Sequence, residues 1–257
     1  MNRNIDVQQR VEEHFDFVCQ HYPKEQILGV FLYGSQNYDL DCFNSDVDTK
    51  AIYIPTFEEV VFNKPISTQL NLDNGEHCEV KDIREFINCL YKQNINFVEV
   101  LFTQYFVLNP AFEDIWMNNF IKHRETIARY NIHKAIHSMS HQASHTLQQA
   151  EAQIRNGINP CKKVANAARL VYFLQRYLNG EPYEKCLIPV GEAHEQIAEL
   201  KFHPKKSETY TTSIQILKMI FDFYKTANYE SLNNTDIQRW LESHFKNTII
   251  HLIKIFD

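Results

Sequence analysis

The chain has little glycine, no paired cysteines and no long apolar run, and each shortage removes a class of protein. Six glycines in 257 residues are too few for a glycine-rich dinucleotide-binding fold, and no internal repeat is present. The six cysteines, Cys19, Cys42, Cys78, Cys89, Cys161 and Cys186, are scattered without a Cys-x-x-Cys pair. That spacing argues against a disulfide framework or a thiolate zinc site and points to a reducing, cytoplasmic setting. No run of about 18 apolar residues occurs, so no membrane span is expected. The opening residues, Met1 to Asp6, lack the apolar centre of a signal peptide.

What is present is a folded, aromatic-rich chain. Apolar residues make up 44%, with 18 Phe and 13 Tyr, and the length suits one large domain or two small ones. The net charge of −6 hides an asymmetry. Residues 36–85 carry eleven acidic and four basic side chains, whereas residues 120–185 carry ten basic and four acidic, with five histidines. An acidic part and a basic part suit a cleft in which one side holds cations and the other a polyanion. The plain alternative is two solvated faces of opposite sign.

The informative stretch runs from Gly34 to Pro55. An apolar run, Ile27 to Tyr33, leads into Gly34-Ser35, and Ser45-Asp46-Val47-Asp48 follows before a second apolar run. This reads as strand, glycine turn, loop and strand. Residues two apart on a strand share a face, so Asp46 and Asp48 are expected to converge. Two carboxylates held close need a cation between them. Magnesium takes hard oxygen ligands and is commonly held by one or two carboxylates together with substrate phosphates. A third acid on a neighbouring strand would complete a two-metal site for in-line phosphoryl transfer. Glu79, between Cys78 and Val80, is the best placed, with Glu76 and Asp82 at the two ends of its strand as alternatives. The Gly34-Ser35 turn would bring backbone N–H groups and a hydroxyl close to a phosphate.

Around that stretch the spacing predicts a one-faced helix over 4–20, through Val7, Val11, Phe15 and Val18. Strands are predicted at 27–33 and 46–54, with a small polar loop at 34–45 between them. Thr56 and Glu59 have capping-box spacing. Asn74-Gly75 marks a hairpin over 66–82, and a helix follows to Tyr91. A further helix is expected with Asn96 as its N-cap and Glu99 completing a capping box. Beyond 110 only helices are expected, at 111–130, 131–156, 161–179, 190–201, 208–227 and 235–255. In the third of these, Ala165, Ala168, Val171, Tyr172 and Leu178 are read as the packed face. The fold class is therefore α+β: a small mixed sheet domain over 1–108, then an all-α helical region over 109–257 completing the cleft.

The stretch resembles the DNA polymerase beta-type nucleotidyltransferase superfamily, whose pattern is Gly-Ser, about ten residues, then Asp-x-Asp, with a third acid on a later strand. Within it, the chain is similar to a branch assigned to RNA repair pathways, which shows Gly-Ser-x-x-Tyr-Gly-Leu and then Ser-Asp-x-Asp-x-Arg-Gly-Val-x-x-Pro. Here those positions read Gly34-Ser35-Gln36-Asn37-Tyr38-Asp39-Leu40 and Ser45-Asp46-Val47-Asp48-Thr49-Lys50-Ala51-Ile52-Tyr53-Ile54-Pro55. The likeness continues through Asp82 to Phe86 and Asn94 to Glu99, and loosely into Lys163 to Leu170. Asp39 and Ala51 stand where glycines are usual, Ile95 replaces a proline and Asn166 a histidine. The resemblance implies two Mg²⁺ ions (or Mn²⁺) bound by Asp46 and Asp48, with Glu79 on the catalytic one. It implies Gly34 and Ser35 on the β,γ-phosphates of an NTP, ATP being the expected donor, and Lys163 and Arg169 neutralising the triphosphate. The implied acceptor is an RNA or tRNA end, and next a protein side chain or small molecule. For Lys163 and Arg169 the plain alternative is an ordinary basic helix face, and for Arg84 it is a structural salt bridge.

Two other patterns are weaker. His133, His137, His141 and His145 recur every four residues along one helix, a spacing that can bind zinc or copper, though a polar stripe is the simpler reading. Arg239 and His244 have the Arg-x4-His spacing of a family of helical RNases, on somewhat different faces of their helix. The rival functions are a nucleotide-binding sensor or toxin–antitoxin component without turnover, and a helical RNase. Three intact acids, Asp46, Asp48 and Glu79, argue for the enzyme.

Overall fold

The computed structural model describes residues 3–42 and 45–256; Phe43 and Asn44, within the predicted loop 34–45, lie outside the described residues. The chain divides into two compact units: Met1–Asn37, Asp41–Tyr130 and Asn234–Asp257 form one, and Tyr38–Leu40 with Asn131–Asn233 form the other. The sequence reading places its boundary at 108, whereas the compact units change over after Tyr130, and the C-terminal helix belongs with the sheet. A five-stranded mixed sheet in the N-terminal part followed by a mostly helical region makes the protein α+β. Among the described residues no helix is long and apolar enough to cross a membrane.

The first unit is built on strands β1 (Ile27–Tyr33), β2 (Asp48–Tyr53), β3 (Ser67–Asn71), β4 (His77–Asp82) and β5 (Phe106–Leu108), in the order β3-β4-β2-β1-β5. β2 lies antiparallel to β1 and parallel to β4, with Asp48 opposite His77, Lys50 opposite Glu79 and Ile52 opposite Lys81. Helix α1 (Arg3–His21) lays Val7, Val11, Phe15 and Val18 on one face of the sheet, against Val30, Leu32, Val47, Ala51, Cys78 and Val80. That is the stripe its four, four and three spacing predicts. Each such side chain contributes roughly 1.5–3 kcal/mol on burial. The capping box on α2 (Phe57–Val61) is present as read, with Thr56 and Glu59 satisfying each other's backbone N–H groups.

The opposite face carries an aromatic core. Phe31 of β1 meets Trp116 of α5 (Glu113–Asn119) with ring centroids 4.5 Å apart. Phe86 of α3 (Ile83–Tyr91) and Phe120 extend the cluster, and Phe245 of the C-terminal helix (Thr235–Ile253) stacks on Phe120. The predicted helix over 111–130 is interrupted: α5 and α6 (Arg124–Arg129) are joined by a 3-10 turn at Ile121–His123. The short helix α4 (Ile95–Val98) is capped by Asn94, whose side chain accepts from Asn96 N–H at 3.1 Å, and not by Asn96.

Strand β5 is absent from the sequence reading because three residues are too few to display a period of two. It pairs with β1 at Gly29, whose position explains that residue. A Cβ on Gly29 would sit 2.7 Å from the Val107 carbonyl oxygen. Gly29→Ala must push β5 away from the sheet, and a loss of about 1–3 kcal/mol in urea unfolding is expected. An unchanged midpoint would mean that β5 yields without resistance.

The second unit is helical: α7 (Ile132–Arg155), α8 (Cys161–Leu178), α9 (Tyr183–Leu187), α10 (Glu192–Phe202) and α11 (Ser207–Thr226). The C-terminal helix of the first unit is α12. The packed face of α8 differs from the one read from the sequence. Val164, Ala165, Ala167, Leu170, Phe173, Leu174 and Tyr177 are buried, while Ala168, Val171, Tyr172 and Leu178 are only partly covered. Ala165 is buried as expected, but the stripe runs on through Leu170, Phe173, Leu174 and Tyr177, turned about the helix from Ala168, Val171, Tyr172 and Leu178. Within this unit α10 holds the segment 38–40: His194 lies 2.8 Å from the Asp39 carbonyl oxygen, and Lys201 donates to that of Leu40.

Candidate active site

β1 delivers the chain into Gly34, whose φ of +105° is closed to most side chains. The turn continues as a 3-10 helix, Ser35–Tyr38. It is pinned from several directions. Gly34 N–H donates to Glu99 Oε1 at 3.2 Å, Asn37 donates to the Leu32 carbonyl at 3.2 Å, and Thr103 donates to Asn37 Oδ1 at 2.8 Å. Glu99 is therefore not the capping-box partner expected from its spacing; its buried carboxylate supports the glycine turn instead. Gly34 N–H is thereby taken, and the Ser35 hydroxyl beside it has no hydrogen-bond partner among the described residues.

Asp46 and Asp48 do not lie together on a strand. β2 begins at Asp48, and Asp46 sits in the irregular segment ahead of it with its side chain exposed. That segment is fixed by its backbone. Gln36 donates to the Asp46 carbonyl at 2.6 Å, Arg10 to the Ser45 carbonyl at 3.2 Å, and Val47 N–H donates to Glu76 Oε1 at 2.5 Å. The Asp46 carboxylate has no partner among the described residues.

The three candidates for the third acid separate by environment. Glu76 is 3% exposed and is bound to Arg10, His14 and Asn74, so it acts as a buried anchor for Val47. Asp82 is fully buried, caps α3 and makes a paired contact with Arg84, which is the structural salt bridge anticipated for that arginine. Of the three, Glu79 alone lies on the Asp48 side of the sheet with its side chain partly, 27%, open to solvent. Its two oxygens face two ammonium groups, Lys50 on Oε2 and Lys81 on Oε1 at 3.2 Å. Burial alone would raise the Glu79 carboxyl, but Lys50 and then Lys81 outweigh it and hold it below the usual range.

Lys50 is 3% exposed and is clasped between the rings of Tyr33 and Phe97, at 3.9 and 4.1 Å from their centroids. Beside it, His77 Nδ1 lies 2.9 Å from Asp48 Oδ1, and Tyr33 Oη lies 3.0 Å from His77 Nε2. Burial pushes the Tyr33 hydroxyl up, and the Asp48 and Glu79 charges add to it. Neither Lys50 nor His77 is singled out by the sequence reading. The parallel register that sets Lys50 against Glu79 is the signal that finds them, and pattern alone does not show that register.

On the α1 face of the same strands, His14 Nδ1 lies 2.7 Å from Thr49 Oγ1 and Nε2 lies 3.2 Å from Glu76. Since the carboxylate can only accept, Nε2 carries the proton and Nδ1 accepts from the threonine. Burial and then the nearby Arg10 charge lower the His14 ring from 6.5 to about 4. The unfolded chain therefore binds the extra proton first as pH falls. The stability owed to the neutral ring is complete above about pH 6.5 and is lost as pH drops toward 4, a loss of about 3 kcal/mol at most. Melting temperatures between pH 7.5 and 4.5 should fall less steeply in His14→Asn than in the wild type; parallel curves would refute this linkage.

The remaining candidates sit as follows. Lys163 is half-buried in the first turn of α8, with no partner among the described residues. Arg169 is 2% exposed, stacked 3.6 Å from the Tyr38 ring centroid and bonded to Asn166, with Nη1 buried and unpartnered among the described residues. The assignment of both to a triphosphate rests on the resemblance alone. His133 and His137 of α7 pack with ring centroids 4.3 Å apart and planes tilted by 46°, and His133 Nδ1 accepts from Tyr229 N–H. Among the described residues, no three His, Cys, Asp or Glu side chains are grouped at metal-ligand spacing. His244 stacks on Trp240, meets His123 edge-on and bonds the Asn119 carbonyl at 2.7 Å, while Arg239 pairs with Asp236.

The class defined so far is an α+β protein whose acidic motif opens the central strand of a mixed sheet, beside a glycine turn. No protein-family model and no curated protein matches the chain. Among solved structures it is similar to a nucleotidyltransferase-like protein from Exiguobacterium sibiricum 255-15, at 12% identity and a TM-score of 0.33, over 96% of this chain and 74% of that one.

Proposed function

We propose that the protein is a metal-dependent nucleotidyltransferase that moves a nucleoside monophosphate from an NTP, ATP being the expected donor, to an acceptor hydroxyl on RNA or tRNA. The observation that supports this is the placement of Asp48 and Glu79 on one side of two hydrogen-bonded parallel strands. The Gly34-Ser35 turn ends the strand next to them. The resemblance in the Gly34 to Pro55 stretch supplies the reaction class. In the reaction, the acceptor oxygen bonds to the α-phosphorus and the bond from that phosphorus to the bridging oxygen breaks. Pyrophosphate leaves with the electron pair, and the hydroxyl proton passes to water.

Asp46 and Asp48 fit a hard divalent cation: both offer carboxylate oxygen, and Asp46 has no competing partner among the described residues. A bound Mg²⁺ or Mn²⁺ would offset phosphate charge and lower the pKa of the acceptor hydroxyl. Ser35 would donate to phosphate oxygens from a turn already fixed by Glu99, Asn37 and Thr103. Tyr33 and His77 keep the Asp48 side chain oriented.

The test uses NTPs labelled at the α-phosphate, Mg²⁺, and total RNA or total protein as acceptor. Wild type should label an acceptor that Asp46→Ala/Asp48→Ala does not. Equal labelling, or none with every acceptor, rejects the enzyme; NTP binding without transfer would favour a nucleotide sensor.

A further inference from the structure

We propose that the Lys50 ammonium takes the place of a second cation in this site, so that the chain holds one divalent ion for each bound nucleotide. The inference rests on the nucleotidyltransferase reading above and departs from the two-ion arrangement that the resemblance implies.

A lysine that is 3% exposed, with its ammonium between two aromatic rings and against a carboxylate, is a fixed charge rather than a mobile arm. Its backbone is fixed as well, because Lys50 lies in the centre of the sheet with β1 on one side and β4 on the other. It cannot swing aside without leaving Glu79 Oε2 partly buried and stripped of its ammonium, with Lys81 on Oε1 alone. A divalent ion approaching Glu79 would meet that ammonium at close range, where little solvent screens the repulsion.

The distribution of charge points the same way. At the Glu79 end, two ammonium groups already exceed one carboxylate, with Lys50 on Oε2 and Lys81 on Oε1. At the other end, Asp46 and Asp48 supply two carboxylates, which match one dication. Lys81 is the more exposed of the two lysines and meets only the Oε1 of Glu79. Lys50 stands on the strand that starts with Asp48, two residues along and on the same face, and its ammonium reaches across to Glu79. Glu79 then serves as the counter-ion that keeps the ammonium in the site.

The experiment counts ions. Full-length protein is dialysed to equilibrium with Mn²⁺ and α,β-methylene-ATP, and Mn²⁺ retained is measured per nucleotide retained. Wild type should hold one Mn²⁺ per nucleotide. Lys50→Met keeps the stem and removes the charge, and should hold two; Lys81→Met should remain at one. Thermal melting checks that each variant is folded, and Lys50→Gln replaces Lys50→Met if the latter is not. A ratio of two in wild type overturns the inference and leaves the enzyme reading standing, as does a folded charge-free Lys50 variant that remains at one. Retention of neither Mn²⁺ nor nucleotide by wild type overturns both.

Discussion

Asp48→Asn is expected to lower nucleotidyl transfer by about a thousandfold or more while the protein keeps its fold. The two parts of this result have separate causes. Asparagine has the shape of aspartate and still presents an oxygen toward His77 Nδ1, which lies 2.9 Å from the native carboxylate. The start of β2 is held by Val47 N–H on Glu76 and by pairing with β1, and neither involves the Asp48 side chain. Stability should therefore change little. The proposed reaction, however, would lose a full negative charge from the carboxylate pair assigned to the cation. Metal-assisted stabilisation of transferring phosphoryl groups is worth several kcal/mol, and about 4 kcal/mol corresponds to a factor of roughly a thousand. Single-turnover transfer of the labelled nucleotide measures the first part and thermal melting the second. A variant that transfers within tenfold of wild type would remove Asp48 from the reaction.

The second large effect concerns stability. Glu76→Ala should cost about 3–5 kcal/mol, because it takes the carboxylate away from the buried His14 ring, the buried Val47 N–H and the partly covered Arg10 guanidinium. Glu76 is met by Arg10, by the His14 ring and by Asn74, and it also accepts the Val47 N–H. Removing one carboxylate takes away all four contacts at once, and the buried Val47 N–H and His14 Nε2 are left without an acceptor. For a chain of this size the loss corresponds to a fall of roughly 10 °C in melting temperature. Glu76→Gln keeps an acceptor for Val47 but loses the charge opposite Arg10, so it should fall in between. A change below about 1 kcal/mol for the alanine variant, read from urea unfolding, would show that the network holds nothing. Val47 lies between Asp46 and Asp48, so loosening its amide should also slow transfer, and by more than the stability loss alone explains.

Much of this was legible in the sequence, for reasons that can be traced to particular residues. The α1 stripe, the Thr56–Glu59 capping box and the Asn74-Gly75 hairpin are local, and local chemistry is written in short windows. The Gly34-to-Pro55 stretch was visible because one strand, turn and strand carry it. Non-local relations were not visible. That Glu99 supports Gly34 could not be seen from a capping-box spacing that happened to fit. Lys50 faces Glu79 only because β2 and β4 run parallel, across an intervening helix and strand. Asp39 shows a partial success. It stands where the resembled branch has glycine, and its φ of +55° is the left-handed conformation for which glycine is the usual choice.

The charged face of β2 and β4 has a consequence for folding as well as for chemistry. A strand shifted by one residue against its neighbour turns all its side chains over. Such a shift would drive Asp48, Lys50 and Glu79 into the layer occupied by Val11, Phe15 and Val18 of α1, and would turn Val47, Ala51 and Val80 toward the site. Burying unpaired charge against apolar side chains is strongly unfavourable. The residues that make the site thereby also select the one strand alignment in which it exists, and neutral substitutions among them should make misaligned intermediates longer-lived during refolding.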